Sequence, residues 1–262
     1  MTAAERPQTG PPGRRVHPLV FVHGYPLDRR LWHGAAAVGG RPSLAPDLPG
    51  FGREPALAPP GSLAGFAEFL LRQAREAFAP EPGPYVFCGL SMGGYVLFEL
   101  WASRPEAVVG LILADTRAPG ATADERRSRD ASIAAVREGR REAALAPLAE
   151  ALLAPAARSR PEVTLPLASM VADASNDGLV WALEGMRERR DARAILGTIR
   201  VPTLVLVGSE DAVTPPAAAE EIHHGIPESR LVTIPGAGHL APLEAPAAFY
   251  AAVGRFLDEA RL

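Results

Sequence analysis

The 262-residue chain contains no lysine, so its 27 basic side chains are all arginine, set against 30 acidic ones for a formal net charge of −3. Such a balance provides no basic field for phosphate backbones or anionic lipid, and nucleic acid is not an expected partner. A single cysteine, Cys88, excludes an internal disulfide framework, so folding does not depend on an oxidising compartment. Met1 to Arg15 is polar, holds Pro7, Pro11 and Pro12, and lacks the apolar stretch of a secretory signal. The longest uninterrupted apolar run, Ala107 to Ala114, is too short to cross a bilayer. A cytoplasmic protein without membrane attachment is expected, with residues 1–16 as a flexible segment.

Hydrophobic residues make up 47% of the chain, enough for a sizeable core. Short β-branched and leucine-rich runs alternate with longer helical patterns, the rhythm of a parallel sheet covered on both faces. Six strands are expected, at Leu19–Val22, Pro42–Ala45, Tyr85–Cys88, Leu111–Leu113, Leu204–Val207 and Leu231–Ile234. Ser62 can cap a helix bearing Leu63, Phe66, Phe69, Leu70 and Phe78, and Gly93 to Ala102 reads as a buried helix, apolar nearly all round. From Arg117 to Thr198 the strand signal gives way to charged, alanine-rich helical patterns broken at Pro119-Gly120, Pro155, Pro161, Pro166 and Asn176-Asp-Gly178. The expected organisation is an α/β core over 17–116 and 199–262 with an inserted helical cap over 117–198.

Gly89-Leu90-Ser91-Met92-Gly93 follows the third strand and precedes the apolar helix. With 25 glycines in the chain the pentapeptide is weak evidence alone, and its context carries the argument. A serine at a sharp strand-to-helix turn stands exposed at the carboxyl edge of the sheet, and flanking glycines let backbone approach closely. The helix start offers unpaired N–H groups there, so the Met92 amide can stabilise an oxyanion.

Serine needs a general base. Of six histidines, His239 in Pro235-Gly-Ala-Gly-His-Leu-Ala-Pro-Leu-Glu244 lies just beyond the last strand and is preferred. His23 reads as structural, His223 and His224 as helix-end residues, and His17 and His33 have no supporting context. Asp211, directly after the fifth strand, is the expected carboxylate partner, with Glu210 and Asp115 as rivals. The cap residues Met170, Trp181, Leu183 and Met186 could line an acyl pocket, although their helical spacing serves ordinary packing equally well. Cys88 reads as a small buried residue.

Val22-His-Gly-Tyr-Pro26 with nearby Trp32, Asp47-Leu-Pro-Gly-Phe-Gly52, the serine elbow, Asp211 and His239 appear in order. Over Leu19 to about Leu257 the chain resembles the α/β-hydrolase superfamily, in particular its single-domain bacterial carboxylesterase and enol-lactonase branch. The resemblance implies an α/β-hydrolase fold, a Ser91–Asp211–His239 triad, and a second oxyanion-hole amide on Tyr25. Many relatives carry two antiparallel strands ahead of the His-Gly strand, whereas only about 18 polar, proline-rich residues precede it here, so a shortened sheet is expected. Arg53-Glu54 departs from the family pattern after Gly52, which bears on local loop contacts.

The expected activity is hydrolysis of small to medium carboxylic esters through an acyl-enzyme, with no metal or organic cofactor required. Lactonase, carbon–carbon bond hydrolase, perhydrolase and hydroxynitrile lyase chemistries are alternatives on the same residues, and a non-catalytic ligand receptor is an alternative of another class. The expected partner is a small-molecule ester, and the expected assembly is a monomer or small homo-oligomer.

Overall fold

The computed structural model describes residues 16–38, 40–80 and 83–262; apart from Val16, the segment expected to be flexible lies outside them. Strands β1 (Leu19–Val22), β2 (Ser43–Leu44), β3 (Tyr85–Leu90), β4 (Val108–Ala114), β5 (Thr203–Gly208) and β6 (Arg230–Ile234) form one sheet in the order β2-β1-β3-β4-β5-β6. Every neighbouring pair is parallel, and all strands among the described residues belong to this sheet. The helices are α1 (Leu63–Ala77), α2 (Met92–Ser103), α3 (Ala123–Arg137), α4 (Arg141–Ala151), α5 (Pro161–Asp173), α6 (Asn176–Arg187), α7 (Arg193–Leu196), α8 (Pro216–Gly225), α9 (Ala241–Glu244) and α10 (Pro246–Glu259). None among the described residues is long and apolar enough to cross a membrane.

Alternation along the strands divides the core in two. Val20, Tyr85, Phe87 and Leu113 face Phe66, Leu70, Val96 and Ile222 of α1, α2 and α8. Phe21, Val86, Cys88 and Ile112 face Phe249, Val253 and Phe256 of α10. With helices on both faces, the strands read as continuous apolar runs, as a doubly covered parallel sheet requires.

Helices α3 to α7 all fall between β4 and β5. A capping box starts α3, with the Thr122 hydroxyl accepting from the Glu125 amide and the Glu125 carboxylate accepting from the Thr122 amide. Ser175 caps α6 by accepting from the Gly178 amide at 3.0 Å, so Asn176-Asp-Gly178 begins a helix. Pro161 likewise opens α5. Pro166 was expected to break the chain, yet it lies inside α5. At the sixth residue of the helix its missing N–H removes the bond to the Glu162 carbonyl, and the helix continues through it.

Register brings the chemistry to one edge. Val22 pairs with Gly89, Leu90 with Ala114, and Gly208 with Ile234. The loops after β1, β3, β4, β5 and β6 therefore emerge side by side at the carboxyl edge, where the strand order reverses about β1 and β3.

Candidate active site

Ser91 joins β3 to α2 with φ 56° and ψ −114°, a left-handed-side conformation that L-residues rarely adopt. Its amide donates to the Ala114 carbonyl at 2.9 Å, and its carbonyl accepts from Gly94 N at 2.9 Å and Thr116 Oγ1 at 2.8 Å, so the strained turn is held on both sides. The tightness of the turn explains the flanking glycines. A Cβ on Gly89 would lie 2.6 Å from the Gly93 carbonyl carbon, and one on Gly93 would lie 2.3 Å from the Val22 carbonyl oxygen.

The loop after β6 carries His239, which is almost wholly buried. Its Nδ1 lies 2.8 Å from Asp211 Oδ2. With Nδ1 donating to this carboxylate, Nε2 is the nitrogen left to act as a base. Asp211 also accepts from the amides of Val213 (2.8 Å) and Thr214 (2.9 Å) through Oδ1, and from the Thr214 hydroxyl (2.7 Å) through Oδ2. Burial pushes the Asp211 pKa up, but the bonds from His239 and Thr214 outweigh it and hold the group below its ordinary value.

The rival carboxylates lie elsewhere. Glu210 is exposed. Asp115, at the end of β4, is fully buried, and its Oδ1 accepts from Gly208 N at 2.8 Å while Oδ2 has no hydrogen-bond partner among the described residues. Burial, then the negative charge of Asp211, pushes the Asp115 pKa well above the carboxylate range, which favours its neutral form. Three of the other histidines bond elsewhere. His23 holds the Gly24 carbonyl through Nδ1 at 2.9 Å and accepts from Leu48 N through Nε2 at 2.9 Å, and burial pushes its pKa down. His223 bonds Ser229 at 2.8 Å, and His17 bonds the Pro84 carbonyl at 3.1 Å.

Ser91, His239 and Tyr25 line one cavity of about 290 Å³. The Met92 amide opens α2 and has no acceptor one turn back. Leu148, Leu152, Leu183, Met186 and Val213 form an apolar wall. Of the four apolar residues suggested for the pocket, Leu183 and Met186 line it, whereas Met170 lies in the core and Trp181 packs against the core. A larger cavity, about 680 Å³, lies between α4 and α5 and contains neither Ser91 nor His239.

Three groups of residues at the site were missed by the sequence reading. Thr214 braces the acid, with its position three residues after Asp211 as the available signal. Glu244 accepts from Leu240 N at 3.0 Å and from Ala154 N at 2.9 Å, tying the His239 loop to the segment after α4. The third group is Arg117, Glu125 and Arg129, which also line the cavity. The Asp47 carboxylate organises the loop over 47–54, accepting from Arg29 N at 2.7 Å and Arg53 N at 2.9 Å, so the departure at Arg53 keeps its contact through the backbone.

The sequence profile of the alpha/beta hydrolase family matches residues 19–253. Pimeloyl-[acyl-carrier protein] methyl ester esterase of Neisseria meningitidis is 30% identical over 94% of this chain and 95% of its own length. A thermophilic esterase from Thermogutta terrifontis, solved with malate bound, is 32% identical, covers 94% of this chain and 91% of its own, and superposes with a TM-score of 0.89. A hydrolase from Pseudomonas aeruginosa PA01 is 30% identical with a TM-score of 0.83, covering 92% of this chain and 90% of its own.

Proposed function

As a member of the alpha/beta hydrolase family the chain is a hydrolase, and we propose that it cleaves carboxylic esters of small to medium size through an acyl-enzyme on Ser91. The observation that carries this reading is the 2.8 Å bond between His239 Nδ1 and Asp211 Oδ2, in the wall of the same cavity that the Ser91 elbow enters. His239 Nε2 takes the Ser91 proton as Oγ attacks the ester carbonyl, and the amides of Met92 and Tyr25 stabilise the oxyanion. Asp211 fixes the tautomer and balances the imidazolium charge. The alcohol leaves with a proton from His239, which then activates water to release the acid. The ester reading is favoured over the other chemistries of this fold because the full-length relatives at 30% identity or above that have a specific name are esterases.

Ser91→Ala is expected to lower p-nitrophenyl acetate hydrolysis by roughly 10⁴-fold or more and to abolish fluorophosphonate labelling, with an unchanged circular dichroism spectrum. Substantial turnover by the folded variant would overturn the assignment of the nucleophile.

A further inference from the structure

The cavity has two chemically different walls. Opposite the apolar residues, α3 turns Glu125, Ser128, Arg129 and Ser132 towards it, and Arg117 completes the polar side. These α3 positions recur at the i, i+3, i+4, i+7 spacing of one helix face. A pocket meant only for a neutral acyl chain would be expected to carry apolar residues there; this face is hydroxylated and cationic.

The charges on this wall do not balance. Three guanidiniums, Arg117, Arg129 and Arg189, converge on the single carboxylate of Glu125. Both Glu125 oxygens are already engaged: Oε1 accepts from Arg117 Nη2, and Oε2 accepts from Thr122 N at 2.9 Å and Arg189 Nη2 at 3.2 Å. Arg189 sits behind the wall, buried, donating to the Pro119 carbonyl at 2.9 Å with its guanidinium 4.4 Å from the centre of the Tyr95 ring. That leaves Arg129 at ion-pair range only, 4.0 Å from Glu125 Oε2, and its buried Nη1 has no hydrogen-bond acceptor among the described residues. Arg117 Nε is in the same condition. Burial and the like charge of Arg189 push the Arg129 pKa down, a sign that its charge is under-compensated. Excess buried cations are costly, and an anion entering the cavity would offset that cost.

We propose that the substrate carries a carboxylate that docks on Arg129 and Arg117 while its ester group lies at Ser91, making the preferred substrate a monoester of a short aliphatic dicarboxylic acid. The apolar wall accommodates the methylene chain, and the modest cavity volume of about 290 Å³ suits a short one. Ser128 and Ser132 supply neutral donors beside the guanidiniums. The inference rests on the ester-hydrolase reading for its reaction but not for the anion site itself.

The test compares monomethyl succinate, glutarate and adipate with the corresponding methyl ester monoamides, which keep size and remove charge. Wild-type protein is expected to favour the carboxylate in kcat/KM by about tenfold or more for at least one chain length, the worth of a charge-assisted contact. Arg129→Gln is expected to erase that ratio, and Arg137→Gln, an exposed cap arginine paired with Glu184, to preserve it. Equal kcat/KM for acid and amide at all three lengths in wild-type protein, or an Arg129→Gln ratio like that of wild type, would overturn the proposal. Should Arg129→Gln not fold, Arg117→Gln and competitive inhibition of the wild-type enzyme by succinate, glutarate and adipate take its place. Turnover of p-nitrophenyl acetate without an anion preference defeats this inference alone. Absence of both turnover and fluorophosphonate labelling defeats the hydrolase reading. Calorimetry of the three dicarboxylates then decides the anion site by itself: binding weakened by Arg129→Gln upholds it, and no binding overturns it.

Discussion

Asp211 and Asp115 follow adjacent strands of one sheet, yet their surroundings push their pKa values in opposite directions. Asp211 gains four donated hydrogen bonds, which hold its pKa below the ordinary value; Asp115 is fully buried beside the Asp211 charge, and its pKa is pushed well above that value. Two predictions separate them. Asp211→Asn is expected to cut kcat by about 10³ to 10⁴, because the imidazole loses the partner that sets its tautomer, whereas Asp115→Asn retains activity on p-nitrophenyl acetate within a few-fold. The second concerns pH. An unfolded chain releases the Asp115 proton above about pH 4, while the folded protein keeps it, so this group makes stability fall as pH rises from there to its folded pKa. Asn at 115 removes that dependence, and its melting temperature relative to wild type is expected to be higher at pH 8 than at pH 5. An equal difference at the two pH values would contradict it. Asp211 has the reverse sign: its contribution is present above its unfolded pKa and is lost as pH falls through the lowered folded value.

At the scale of elements, the strands and the glycine-flanked turn at Ser91 were legible because each is written in contiguous residues. The apolar run Tyr85 to Cys88 announces β3, and Gly89 and Gly93 mark a turn too tight for any Cβ. Pro166 was misread because a proline inside a helix costs one backbone bond without having to end the helix, as Pro147 inside α4 also shows. The polar face of α3 went unread for another reason: Glu125 meets Arg189 across 64 positions, and no local periodicity encodes such a meeting. Glu244 likewise reaches Ala154 across 90. Glu244→Ala would strand the buried amides of Leu240 and Ala154, at about 1–3 kcal/mol each. A lower urea midpoint is expected together with a loss of kcat, since the segment that slackens carries His239. An unchanged midpoint would show that the two amides find other acceptors.

At the scale of the whole molecule, the inserted helices share the core with the sheet instead of resting on it. Ile133 and Leu179 belong to the same apolar cluster as Val205, and Val163 and Met170 to the same cluster as Leu204. Polar contacts fasten the same helices at several places. Arg30 reaches Asp173 at 2.7 Å and Ser169 at 2.8 Å, Ser175 N donates to the Gly50 carbonyl at 2.9 Å, and Arg190 pairs with Glu99. Calorimetry is therefore expected to give one transition, with calorimetric and van't Hoff enthalpies equal. A separate low-temperature peak from α3–α7 would refute this.

The histidine's own amide donates to the Leu152 carbonyl at 3.2 Å, two residues before the Ala154 amide that Glu244 holds. The proposed base and the inserted helices thus have a common mooring, and this bears on recombination between relatives. A chimera that transplants the whole insertion exchanges part of the histidine's scaffolding along with the pocket wall. Crossovers placed to leave 152–154 with the recipient would trade substrate preference while keeping the base in register, which makes this short stretch a natural seam for grafting new specificities onto the sheet.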